Sequence, residues 1–202
     1  MKADEIIKLS QMVIQTEMEG IKLLKSQIDN NFVKAVHVML KFKGHVLVTG
    51  IGTSRSVANR LAHLLSCCGT PALYIHPGDG MHGLAGAVTK NDVLIAVSRG
   101  GKTEEVIHMA QIAKNRKAAV ISITENAVTD LTRLSDVVVT VKSPQNVDVY
   151  GVIATGSSLM YAALGDALCV VLLKLRGYSL WEFGKTHPGG AVGEKLKKGG
   201  KK

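Results

Sequence analysis

Five short, almost wholly apolar runs alternate with helical segments along this chain. That alternation predicts an α/β protein with a parallel sheet covered by helices on both faces. Three observations carry the prediction. The runs at 46–49, 72–76, 92–97, 118–123 and 137–141 are rich in Val, Ile, Leu and Ala with little polar alternation, as buried parallel strands are. Glycines, 21 in all, recur at the joints between runs and helices. Aromatic residues make up only 4% of the chain, which fits tight strand–helix turns better than a β-sandwich.

In chain order, residues 3–28 carry apolar positions among charges and predict a long helix. Such a helix, with no sheet of its own, is expected to pack on the domain or on a second copy of the chain. Asp29 or Asn30 is placed to cap a second helix from Phe32 to Phe42. Strand 46–49 then leads to helix 54–68, and strand 72–76 ends at Pro77-Gly78. A turn and a short helical piece cover 79–88; strand 92–97 precedes helix 103–115, and strand 118–123 precedes a short helix at 127–133. Strand 137–141 stops before Pro144, a long helix spans 155–175 up to Gly177, and a short one covers 179–184.

Composition bounds the function. The 202 residues are 46% hydrophobic, enough for one substantial core. The formal charge is +9, but Lys185, Lys195, Lys197, Lys198, Lys201 and Lys202 lie near the C-terminus, so the asymmetry is mostly a tail property. No aromatic-interleaved basic patch or zinc-finger spacing accompanies it, and nucleic-acid binding is not expected. Cys67, Cys68 and Cys169 are odd in number and sit in apolar helical contexts, so they read as reduced core thiols, consistent with a cytoplasmic location. Leu159–Leu173 is short for a span and contains Asp166, so a buried helix is expected and no membrane role.

Three hydroxyl- and glycine-rich joints are candidate anion sites, since first-turn N–H groups of a helix are unsatisfied and its dipole is positive there. The first is Gly52-Thr53-Ser54, after strand 46–49. A dinucleotide fingerprint would need glycine at 55, where Arg55 stands. The second runs from Ser98 through Gly101 to Thr103. Its GKT lacks the P-loop's first glycine, because residue 96 is Ala96, so nucleotide hydrolysis is rejected. Ser98 at a strand end and Thr103 at a helix start remain as phosphate ligands. The third is Thr155-Gly156-Ser157-Ser158, where one hydroxyl must cap the long helix in any case.

His82 in D-G-M-H-G and His187 in T-H-P-G-G lie on glycine-rich loops and are candidate proton carriers. Glu105, in the first turn after the Ser98 loop, is a candidate base with its neighbour Glu104 as rival, although the helix dipole alone favours a carboxylate there. His63 and Cys67 share a helix face, but no third ligand follows in sequence, so no metal site is expected.

Taken together, these residues resemble the SIS (sugar isomerase) domain and, within it, the arabinose 5-phosphate isomerase family. The likeness covers about residues 5–196 and is strongest in GTPALYIHPGDGMHG, in Gly165-Asp166-Ala167-Leu168, and in His187-Pro188-Gly189-Gly190-Ala191-Val192-Gly193. It implies a flavodoxin-like three-layer α/β/α sandwich with a five-stranded parallel sheet. The organisation it suggests is N-terminal helices to 44, an SIS domain over 45–196 and a flexible basic tail at 197–202. It also implies a homo-oligomer, commonly a tetramer with shared active sites, acting on a phosphorylated sugar without a cofactor. By resemblance, Ser98 and Thr103 belong to the phosphate loop and Ser54 to the first turn. His82, Glu105 and His187 match positions at or near the catalytic centre, His187 acting in a neighbouring subunit.

Two positions depart from that family: Thr53 stands where a lysine is usual, and Asn146 where a glutamate is usual, with Asp148 close by as a substitute. The leading expectation is therefore an aldose–ketose isomerase of a phosphosugar working through an enediol, its substrate open. A sugar-phosphate-binding regulatory module is the second reading, and a 6-phospho-3-hexuloisomerase-like enzyme the third.

Overall fold

The computed structural model describes residues 1–199. Strands β1 (Val46–Thr49), β2 (Ala72–Tyr74), β3 (Val93–Val97), β4 (Ala119–Thr124) and β5 (Val137–Thr140) form one parallel sheet in the order β2-β1-β3-β4-β5. Val46 lies opposite Ala72 on one side and Val93 on the other; Val93 pairs with Ala119, and Ile121 with Val137. The chain moves outward from β1 to β2, then returns past β1 to β3. That reversal opens a crevice at the carboxyl ends of β1 and β3, where open α/β sheets take ligands.

Both faces of the sheet are apolar, so both are covered. Val46, Val48, Ile95, Ile121 and Ile123 face a core closed by helices α2 (Asn30–Lys41), α3 (Thr53–Cys67) and α7 (Gly156–Arg176). Leu47, Leu94, Ala96 and Val120 face a second core closed by α5 (Glu104–Asn115) and α6 (Asp130–Leu134). The three-layer expectation therefore holds. The short α4 (Pro77–Met81) and a 3-10 turn at Leu84–Ala87 fill the stretch expected to hold a turn and a helical piece.

Helix α1 (Ala3–Lys25) stops short of residue 28, where the Ser26 and Gln27 N–H groups fold back onto Leu23 and Leu24 carbonyls. It packs on α7 and buries only Gly20 and Leu24. Ile6, Ile7, Met12, Ile14 and Met18 remain more than half exposed. Of the two candidate caps for α2, Asp29 does the capping: its carboxylate accepts from the Asn31 and Phe32 N–H groups at 2.8 and 3.3 Å. Among the described residues α7 is the one helix long and apolar enough to cross a membrane; here its Met160, Leu164, Leu168 and Leu172 stripe lies in the core.

The C-terminal stretch differs from expectation. Beyond α8 (Leu180–Thr186), the Pro188-Gly189-Gly190 loop is short, and a further helix, α9, runs Gly190–Gly199. Gly190 takes the left-handed turn (φ 63°) that redirects the chain, and no breaker follows Gly193 before the lysines. Residues 197–199 of the expected basic tail thus continue a helix, while 200–202 lie outside the described residues. Neither α8 nor α9 packs extensively on another element among the described residues.

Candidate active site

Two helix starts converge on the crevice between β1 and β3. The first follows Gly52, which adopts φ 61° and ψ −133°, a conformation essentially restricted to glycine. As the N-cap of α3 it offers no side chain to the first turn, so the Thr53 and Ser54 N–H groups have no acceptor among the described residues, while the Arg55 N–H bonds the Gly52 carbonyl at 3.0 Å. The turn is pinned from β2, where the Tyr74 hydroxyl donates to the Gly50 carbonyl at 2.9 Å. Burial pushes the Tyr74 pKa up, keeping that hydroxyl a donor. Thr53 and Ser54 stand in the first turn of α3.

The second start is the Ser98–Thr103 loop. Ser98 is 3% exposed and its Oγ lies 3.2 Å from Thr103 Oγ1, which brings the two predicted hydroxyls together. Thr103 is the N-cap of α5 yet makes no side-chain cap bond, so the α5 donors are open as well. Gly101 holds the loop with φ 65°, and a Cβ there would come within 2.6 Å of Thr129 Oγ1. Glu104 and Glu105 occupy the first turn of α5, Glu105 half-buried and Glu104 exposed.

The third hydroxyl-rich start is filled. The Asp148 carboxylate accepts from the Ser157 N–H at 2.9 Å and the Ser157 hydroxyl at 2.7 Å, capping α7. Ser157 is 2% exposed, and the Thr155 hydroxyl donates to the Val147 carbonyl. Both predicted ligands are therefore engaged with protein groups. A helix start already holding a carboxylate is a poor seat for a phosphate.

Arg99 ties the loops together. Its Nε donates to Glu125 at 2.8 Å and its Nη1 to Asp148 at 2.5 Å, while its carbonyl accepts from the Glu125 N–H and the Thr124 hydroxyl. Burial works against the guanidinium charge, but the hydrogen bond and charge of Glu125, with Asp148 behind, outweigh it and hold the Arg99 pKa above its usual value. Beside this cluster, Tyr161 is 4% exposed and its hydroxyl has no partner among the described residues. Burial, then the charge of Glu125, pushes the phenol pKa up against the opposing pull of Arg99. Thr53, Ser54, Arg99, Ser158 and Tyr161 line a pocket of about 20 Å³, room for one water-sized guest.

The remaining candidates lie apart. His82 is exposed at the C-terminus of α4, and His76 caps the start of that helix through Nδ1. Asn146 is exposed in the loop after β5. Asp148 does not stand in for it, because its side chain is fully buried and already bound to Arg99 and Ser157. His187 stacks on Phe183 with ring centroids 3.7 Å apart, and its Nδ1 lies 3.0 Å from the Phe183 carbonyl and from Thr186 Oγ1. No contact joins it to the Ser98 loop of the same chain among the described residues. His63 Nε2 lies 3.5 Å from Cys67 Sγ, and no third metal-ligating side chain gathers with them among the described residues. Glu125 was passed over in the sequence, although a charged residue directly after the apolar run of β4 marks the ligand-facing edge of such a sheet.

Comparison with known proteins agrees with this fold. The SIS domain model matches residues 39–171. The arabinose 5-phosphate isomerases KdsD of Pseudomonas aeruginosa and Escherichia coli K12 are 34% and 36% identical, over 95% and 91% of this chain. The chain spans 59% and 56% of their respective lengths. The structure of E. coli CFT073 c3406 in complex with arabinose 5-phosphate superposes with a TM-score of 0.89 at 26% identity, covering 93% of this chain and all of that one (100%). A putative sugar-phosphate isomerase of Listeria monocytogenes gives 0.90 at 29% identity over 94% of this chain and 100% of its own. A flavodoxin-ordered sheet, two open helix starts at its switch point and a matching domain model over most of its length place this chain in the SIS domain family.

Proposed function

We propose that the protein is a phosphosugar aldose–ketose isomerase resembling the arabinose 5-phosphate isomerases. One observation carries the reading: the open N-termini of α3 and α5 flank the Ser98–Thr103 hydroxyl pair at the crevice. Backbone N–H groups and neutral hydroxyls there suit a phosphate dianion. With the phosphate held, the carbon chain has one fixed end and its reactive carbons reach Glu105, on the same first turn of α5.

Isomerisation then needs one proton moved between adjacent carbons and one oxygen polarised. Glu105 takes the proton from the carbon beside the carbonyl, and the electron pair passes through the enediol onto the carbonyl oxygen. His187 delivers a proton to that oxygen and takes one from the hydroxyl on the neighbouring carbon as the new carbonyl forms there, while Glu105 returns its proton to the carbon that had carried the first carbonyl. The donor is His187 of an adjoining subunit, because its contacts in its own chain are with Phe183 and Thr186. The exposed apolar face of α1 supports a homo-oligomer, which we take to be a tetramer in which the C-terminal segments complete each other's sites. Incubation with a panel of pentose, hexose and hexulose phosphates in heavy water tests the reading. Interconversion of one pair with deuterium entering the sugar is expected, and no interconversion of any member sinks it.

A sugar-phosphate sensor is the second reading, favoured by Thr53 and by Asn146, which bring neither a cation nor a carboxylate to the crevice. It predicts calorimetric binding of a sugar phosphate with no deuterium incorporation.

A further inference from the structure

At the opposite end of the sheet from the crevice, a cleft of about 710 Å³ runs beneath the amino ends of β3 and β4. Five lysines line it: Lys41, Lys43, Lys90, Lys114 and Lys117. Two carboxylates share the cleft, and both are engaged elsewhere. Asp136 holds Lys114 and the Val120 N–H. Asp92 accepts from the His45 N–H at 2.6 Å and from the Thr89 N–H and hydroxyl at 2.7 and 2.8 Å. Lys41, Lys43, Lys90 and Lys117 thus line one concavity without a carboxylate partner among the described ion pairs.

Helix dipoles account for part of this, since Lys41 and Lys114 end α2 and α5. They do not account for Lys90, which lies in the turn before β3. Lys117 closes α5 with φ 63°, the left-handed position that glycine fills without strain, as the Ala118 N–H bonds the Ala113 carbonyl at 3.0 Å. That turn is an ordinary helix ending, so what Lys117 brings to the cleft is its charge, which has no carboxylate partner among the described ion pairs. Val38 and Phe42 add an apolar wall.

We propose that this cleft binds a small anion bearing two or more linked phosphates, of the kind carried by nucleoside di- and triphosphates. The volume suits a small ligand, and the lysines ring one concavity where a nucleic acid would want an extended stripe. The apolar wall gives a base a surface to lie on. The site is separate from the crevice and stands whether or not the isomerase reading does.

Calorimetry on the full chain tests it, at low salt, with and without excess arabinose 5-phosphate. The probes are ATP and inorganic tripolyphosphate, run on wild type, on Lys43→Ala/Lys90→Ala and on Ser98→Ala/Thr103→Ala. Lys43 and Lys90 lie outside the buried core, so the folded state tolerates their loss. Binding to wild type is expected to weaken by roughly tenfold or more in the lysine variant and to fall with added salt. It is expected to stay unchanged in the Ser98/Thr103 variant. Tighter binding of ATP assigns the ligand to nucleotides, and equal binding assigns it to the phosphate chain alone; either supports the site. Absence of binding, equal affinity in the lysine variant, displacement by the sugar phosphate, or tighter binding of a DNA duplex to the same lysines would overturn it.

Discussion

Ser98 and Thr103 lie five positions apart in the chain, yet their hydroxyls meet at 3.2 Å, and a phosphate oxygen between them would accept from both. Each Ser98→Ala or Thr103→Ala replacement is expected to weaken sugar-phosphate affinity by roughly 1.5–3 kcal/mol, the value of a hydrogen bond to a charged group. Calorimetric titration reads this directly, and unchanged affinity in the double variant would put the phosphate elsewhere. Asp148 makes the contrasting case of a polar residue held for stability. Asp148→Ala strips Arg99 of one partner and α7 of its cap, and is expected to lower stability by about 3 kcal/mol, toward the low end for a broken buried pair because Arg99 keeps Glu125. A fall in urea midpoint with an unchanged slope is the readout; a loss below about 1 kcal/mol would mean the pair behaves as a surface one.

Among the elements, the strands were the most legible in the sequence, because strands buried on both faces need unbroken apolar runs and little else produces them. Edges were less so. Strand β2 closes at Tyr74, short of residue 76, since only one neighbour pairs with it and the chain turns at once into Pro77. Helix α9 was illegible because Pro188-Gly189-Gly190 has the composition of a loop. The Arg99–Glu125–Asp148 cluster was illegible for a different reason: Glu125 and Asp148 lie 26 and 49 positions from Arg99, and only the fold brings them together. That distance also hid the difference between the helix starts, two open and one closed by Asp148. The turn before β3 yields a pH prediction. Burial alone would raise the Asp92 pKa, but hydrogen bonds from the His45 and Thr89 backbone and the Thr89 hydroxyl depress it below 3.8. A carboxyl with a depressed folded pKa gives its full stability above the unfolded value and loses it as pH falls through the folded value. Wild type should therefore lose more stability than Asp92→Asn on acidification from about pH 5 into that range, measured by denaturant titration at each pH.

For the whole molecule, the exposed apolar face of α1 and the sparsely packed C-terminal helices are the surfaces that the proposed homo-oligomer would cover. Mixing inactive Glu105→Gln and His187→Ala proteins under mild dissociating conditions is expected to restore part of the activity, because some hybrid sites receive one intact residue from each parent. No recovery, with exchange of chains verified by mass, would show that each site is built within one chain. If sites are shared between chains as proposed, the stacking of His187 on Phe183, in a segment that packs little on the rest of its own chain, carries a kinetic corollary. Turnover per chain would fall on dilution even while every chain stayed folded, so that abundance in the cell, and not folding alone, would decide whether the catalyst exists.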